Sequence, residues 1–152
     1  MYQSAIDLDR LSDDQLVAAF ATGRIGPEAF RHRHHVRVAY LYLRRYSLGS
    51  AIDLLRRDLL RFASRHGRPG LYHETLTLGY LLLVHERMAD APATWSAFAE
   101  ANPDLLTHRG GAFQRLYAGI DLENDSARRW FRLPGPSAAP PCAAEAFAQR
   151  AI

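Results

Sequence analysis

The 152-residue sequence has no lysine, one cysteine and no long apolar run, and each absence removes a class of explanation. Without lysine there is no Schiff base to pyridoxal phosphate or to a carbonyl substrate, and no P-loop lysine to meet a nucleotide phosphate. The lone thiol, Cys142, cannot close an internal disulfide or form a Cys-x-x-Cys zinc site. It stands in a Pro/Ala-rich tail and reads as passive. The longest apolar run, 78–84, is interrupted by Gly79 and Tyr80 and is far too short to span a bilayer. Asp7, Asp9, Asp13 and Asp14 occupy the region where a secretion signal needs a basic patch and an apolar stretch. The expectation is a cytoplasmic chain with no membrane contact. No G-x-G-x-x-G, no G-x-S-x-G and no internal repeat is present.

What is there suits one folded domain. Residues of apolar type make up 48% of the chain, enough for a core at this length. The formal charge of +3 comes wholly from arginine. Arginine and alanine in place of lysine mark a GC-rich bacterial genome more than a function.

Periodicity and punctuation predict helices throughout. Residues 1–10 read as a loose leader. Ser12, followed by acids and Gln15, is an N-cap with a capping box for a short helix ended by Gly23. A second helix runs from about Glu28 or His32 to Tyr46, stopped by Gly49, with His32, His35, Val36, Ala39, Tyr42 and Leu43 on one face. Ser50 with Asp53 reads as the N-cap of a third, which stops near His66 and Gly67. A fourth, from about Tyr72 to Asp90, is apolar on most sides and so predicted central, with Pro92 as its stop. Short helices follow at 94–100, at 105–117 with a break at Gly110–Gly111, and at 125–131. The stretch 134–141 is a linker, and 143–151 a terminal helix. The predicted fold is all-α, a single-domain helical bundle of about five to seven helices over 1–133, with a tail over 134–152.

Four groups stand out as chemistry. His32-x-x-His35 puts two imidazoles on one side of the second helix, roughly 5–6 Å apart at Cβ. His73-Glu74 opens the fourth helix, where both side chains can edge a cavity; Thr77 lies one turn on, and Tyr80 and Tyr42 can line the same space. Three imidazoles and a carboxylate suit iron, copper or zinc as a transition-metal cofactor, with His32, His35, His73 and Glu74 as ligands. The same groups suit metal-free acid–base work, with Glu74 as base and Thr77 and Tyr80 positioning substrate. A carboxylate on a buried helix also needs a positive partner, whether metal, imidazolium or arginine. The bland readings are polar edge positions for His32 and His35 and a helix-dipole role for Glu74. His34 points away from the pair and reads as solvated, His66 as a C-terminal cap, and His85 as a core histidine. His108 becomes a further ligand if the 105–117 helix packs near the site.

A run of ten arginines from Arg31 to Arg68 faces only Asp53 and Asp58 in that segment. It supports the alternative of a non-enzymatic helical module that binds a protein or nucleic acid. No helix-turn-helix or stacking surface accompanies it, and a lysine-free protein must use arginine on every solvated face. The sequence therefore points away from nucleic acid and leaves room for a homo-oligomer.

Phe30-x-His32-x-x-His35-Val36-Arg37-Val38-Ala39, Tyr72-His73-Glu74-Thr75-Leu76-Thr77 and Ser126-Ala127-Arg128-Arg129-x-Phe131-x-Leu133-Pro134 together resemble a family of small bacterial all-helical proteins. Its signature is F-x-H-x-x-H with Y-H-E-T-[IL]-T. The resemblance covers 30–134 and implies that Phe30, His32, His35, His73, Glu74 and Thr77 belong to one pattern. It brings no activity with it. The expectation is an enzyme acting on a small organic molecule between the second and fourth helices, by metal-dependent oxidation or by acid–base elimination, isomerisation or cyclisation.

Overall fold

Ser12 Oγ accepts the Gln15 N–H while the Gln15 side chain accepts the Ser12 N–H, and this reciprocal box starts α1 (Asp13–Ala21) where the sequence predicts it. The computed structural model describes residues 6–89 and 94–135. Among the described residues the protein is all-helical: eight α-helices, one 3-10 turn at Pro69–Leu71 and no strand. α2 (His32–Arg45), α3 (Leu48–Arg65) and α4 (Glu74–Arg87) form the frame. α5 (Trp95–Ala101), α6 (Pro103–Leu106), α7 (Ala112–Leu116) and α8 (Asp125–Arg129) pack around α2 and α4. No described helix is long and apolar enough to cross a membrane.

α4 is central, as its all-round apolar sequence requires, and meets α2, α3, α6, α7 and α8. Its Leu81 and Val84 are fully buried. Gly79 explains how α7 comes so close: a Cβ there would stand 2.5 Å from the Phe113 ring. Room at Gly79 admits a column of stacked rings, Tyr80 on Phe113 at 4.5 Å and Phe113 on Tyr117 at 4.3 Å between centroids. Thr75, wholly buried, ties α8 to α4. Its hydroxyl donates to the Ala127 carbonyl at 2.7 Å and accepts the Arg132 N–H at 3.1 Å.

Several boundaries differ from the sequence reading, each for a local reason. α2 ends at Arg45, because Tyr46 turns into extended backbone, and Gly49 falls inside the first turn of α3. The cap of α3 is Ser47, whose Oγ accepts the Ser50 N–H, not Ser50 itself. The 105–117 helix is two helices. Gly110 at φ +70° makes the break, and a Cβ on Gly111 would lie 2.3 Å from the Thr107 carbonyl oxygen. The leader is not loose from Leu8 onward. Leu8 is buried, and the buried Arg37 donates to the Leu8 and Leu11 carbonyls and, at 2.7 Å, to Asp13. His85 is exposed rather than in the core. The Pro92 stop, the linker beyond Gly135, Cys142 and the 143–151 helix lie outside the described residues.

Candidate functional site: a cavity between α2, α3 and α4

The facing sides of α2, α3 and α4 enclose a cavity of about 550 Å³. α2 contributes His32, His35, Val36 and Ala39, which recur at helical spacing on one face. α3 contributes Leu55, Leu59 and Phe62, and α4 contributes Leu76, Thr77, Tyr80 and Leu81. Mostly apolar walls with a few converging polar groups are what a small-molecule site looks like.

His35 lies against Phe30, 4.2 Å between ring centroids. Burial, helped by the neighbouring His32 and His34, pulls its pKa down to about 4, opposed only by a hydrogen bond to the Phe30 carbonyl. A carbonyl only accepts, so the ring's one N–H goes to Phe30 and its other nitrogen keeps a lone pair. His32 is held in the same manner. Its Nε2 is 2.8 Å from the Leu105 carbonyl and carries the hydrogen, leaving Nδ1 as an acceptor. Burial lowers its pKa, the Leu105 bond works against this, and His108 adds to the lowering. Tyr80 meets the His32 ring edge-on at 4.7 Å, and His108 lies 5.5 Å from it. Burial raises the Tyr80 phenol, so it stays a neutral donor. At the start of α2, then, two neutral imidazoles line the cavity with one nitrogen each uncommitted.

The start of α4 is different. His73 is buried and is the N-cap of α4, where Nδ1 accepts the Leu76 N–H at 3.3 Å. Its Nε2 donates to the Leu122 carbonyl at 2.8 Å. Both nitrogens are engaged, although the ring edges the cavity. Glu74 does not line the cavity. Its carboxylate takes both Arg56 Nε and Nη2 and the Tyr72 hydroxyl, the last at 2.5 Å. Burial alone would raise this carboxyl; the bonds from Arg56 and Tyr72 outweigh it and hold the pKa below the ordinary glutamate range. The positive partner that a half-buried carboxylate needs is therefore an arginine.

These placements leave the expected ligand set without a common centre. A metal ligand must present a lone pair, and His73 has none left while Glu74 already neutralises Arg56. Among the described residues no group of three or more His, Cys, Asp or Glu side chains is arranged to hold a metal ion. His32, His35, His73 and Glu74 do not fit one coordination sphere.

Other expected residues fall into place one by one. Thr77 and Tyr80 line the cavity. Tyr42 turns instead to the buried Asp58 on α3, donating to it at 2.6 Å. His34 is buried rather than solvated: Nδ1 accepts the Arg31 N–H at 3.0 Å, and Nε2 lies 3.5 Å from Asp9. His66 caps α3 and reaches the Ile25 carbonyl at 3.2 Å. His108, on the loop after α6, lines the cavity beside His32; nothing in its own helix pattern announced this. The arginine strip is largely engaged inside the molecule. Arg37 and Arg45 pair with Asp13 and Asp14, Arg56 with Glu74, and Arg57 with Asp58, while Arg65 donates to the Thr22 carbonyl.

No family model, curated protein or solved structure matches the chain.

Proposed function

We propose that the protein binds a small, largely apolar organic molecule in the cavity between α2, α3 and α4 and transforms it by proton transfer at His35. The observation that carries this reading is a neutral imidazole with a committed N–H and a bare nitrogen, lining a cavity of about 550 Å³. A proton leaves an acidic carbon or oxygen of the substrate for that nitrogen. It then returns to the same molecule at another atom, or departs with a leaving group, so the reaction is an isomerisation, cyclisation or elimination without change of redox state. With its pKa near 4, His35 is unprotonated at neutral pH and, once protonated, a strong donor for the return step. Tyr80, a neutral hydroxyl, and Thr77 orient the substrate oxygen, and His32 offers a second acceptor beside them.

The test is solvent deuterium incorporation into enolisable and phenolic compounds, followed by mass spectrometry. The expected result is incorporation that falls by about 10²–10⁴-fold in His35→Gln, the range a single general base supplies. Equal incorporation by the variant removes His35 from the chemistry.

A further inference from the structure

The polar groups along the cavity include His35, His32, Thr77 and Tyr80, but the only formally charged side chains that line it, among the described residues, are Glu28 and Arg68. Both are exposed and therefore at the mouth. Neither forms an ion pair or side-chain hydrogen bond with any described residue, whereas Arg56, Arg57, Arg61 and Arg65 of the preceding helix all have partners. The fold also brings the chain segments next to the two together. His66, the cap of α3, touches the Ile25 carbonyl at 3.2 Å. Glu28 follows Ile25 closely in the chain and Arg68 follows His66, so both flank that contact at the C-terminal end of α3.

A guanidinium and a carboxylate left unpaired on the lining of one cavity complement a ligand that carries both signs of charge. Behind the rim the walls are apolar and aromatic, with Phe30 and Phe62 at 5.3 Å between centroids. Tyr80 and the bare His32 nitrogen line the same cavity. Aromatic walls of this kind suit a side chain carrying one aromatic ring.

We infer that the cavity accepts an α-amino acid with an aromatic side chain, its carboxylate at Arg68, its ammonium at Glu28 and its ring against Phe30 and Phe62. This rests on the reading of the cavity as a small-molecule site and adds the class of molecule. A simple apolar acid would face repulsion from Glu28, and a simple amine repulsion from Arg68; only the zwitterion satisfies both.

Four probes titrated into the full chain and followed by protein-observed NMR decide it: phenylalanine, 3-phenylpropionate, phenethylamine and indole. The expected order places phenylalanine about tenfold tighter than either analogue that lacks one charge. Arg68→Gln is expected to weaken phenylalanine about tenfold and to leave phenethylamine no weaker, with any change toward tighter binding. Glu28→Gln is expected to do the mirror image, sparing 3-phenylpropionate. Both side chains are exposed, so neither change threatens the fold. If indole binds and the three charged probes bind alike, or both variants leave them unmoved, the amino-acid assignment is wrong and the cavity reading stands. If no probe, indole included, perturbs residues of α2 and α4, both readings fall together.

Discussion

At the start of α4 the polar side-chain atoms of His73 and Glu74 meet protein partners: Leu76, Leu122, Arg56 and Tyr72. At the start of α2, His32 and His35 each give their one N–H to a carbonyl of the chain and keep a second nitrogen bare against the cavity. The two helix beginnings carry the same residue type and border the same space, and they differ in what folding has left unused. One is a hinge pin of the architecture. The other retains chemistry. The contrast teaches that a buried polar residue is judged as a reactive group only after its donors and acceptors have been counted.

The sharpest test of this contrast is pH. His35 has an ordinary pKa of 6.5 unfolded and about 4 folded, so between those values the unfolded chain binds a proton that the native chain refuses. Stability is complete above pH 6.5 and falls as pH drops toward 4, by roughly 3 kcal/mol at 1.36 kcal/mol per unit. Urea unfolding at pH 7 and pH 4 measures the fall, and in His35→Gln its His35 share should vanish. A fall of the same size in the variant would assign the sensitivity elsewhere. Next in size is the architectural side. His73→Ala removes the cap of α4 and strands the Leu122 carbonyl, an expected loss of about 2 kcal/mol in urea unfolding. His73→Asn, which keeps a capping oxygen, should recover about half of it. The smallest effect comes from Glu74→Gln. With Arg56 37% exposed, solvent screening limits the cost to about 1 kcal/mol. Indole affinity should stay within twofold because Glu74 does not line the cavity. A collapse of affinity there would erase the difference between the two helix starts.

The fold was readable where local rules act alone. Ser12 with Gln15 announced α1, and the all-round apolar character of α4 announced its central place. Ser50 read as the cap of the third helix, whereas the extended backbone at Tyr46 lets the helix start earlier, under Ser47. Spacing put His32 and His35 on one face of α2 and Thr77 near Tyr80 on α4, and all four line one cavity, since a helical face is a local property. It did not separate Glu74 from them, because the partner that claims the carboxylate, Arg56, belongs to another helix. Nor did it reveal His73 as a cap, since imidazole is outside the usual capping set of Ser, Thr, Asp and Asn. His108 and the rim pair Glu28 and Arg68 reach the cavity through loops whose course depends on long-range packing. Periodicity carries no signal for that.

Arg37 gives the opening segment a weight its sequence hides. From within α2 a single guanidinium grips the backbone at Leu8 and Leu11 and the carboxylate of Asp13. Cutting the chain upstream of Leu8 would leave this clasp whole. Trimming past Leu11 would leave the buried Arg37 with Asp13 alone and without its two carbonyl acceptors, on the very helix that carries the two imidazoles, so a shortened version should lose ligand response as well as stability. An affinity tag therefore belongs ahead of the clasp, never in its place.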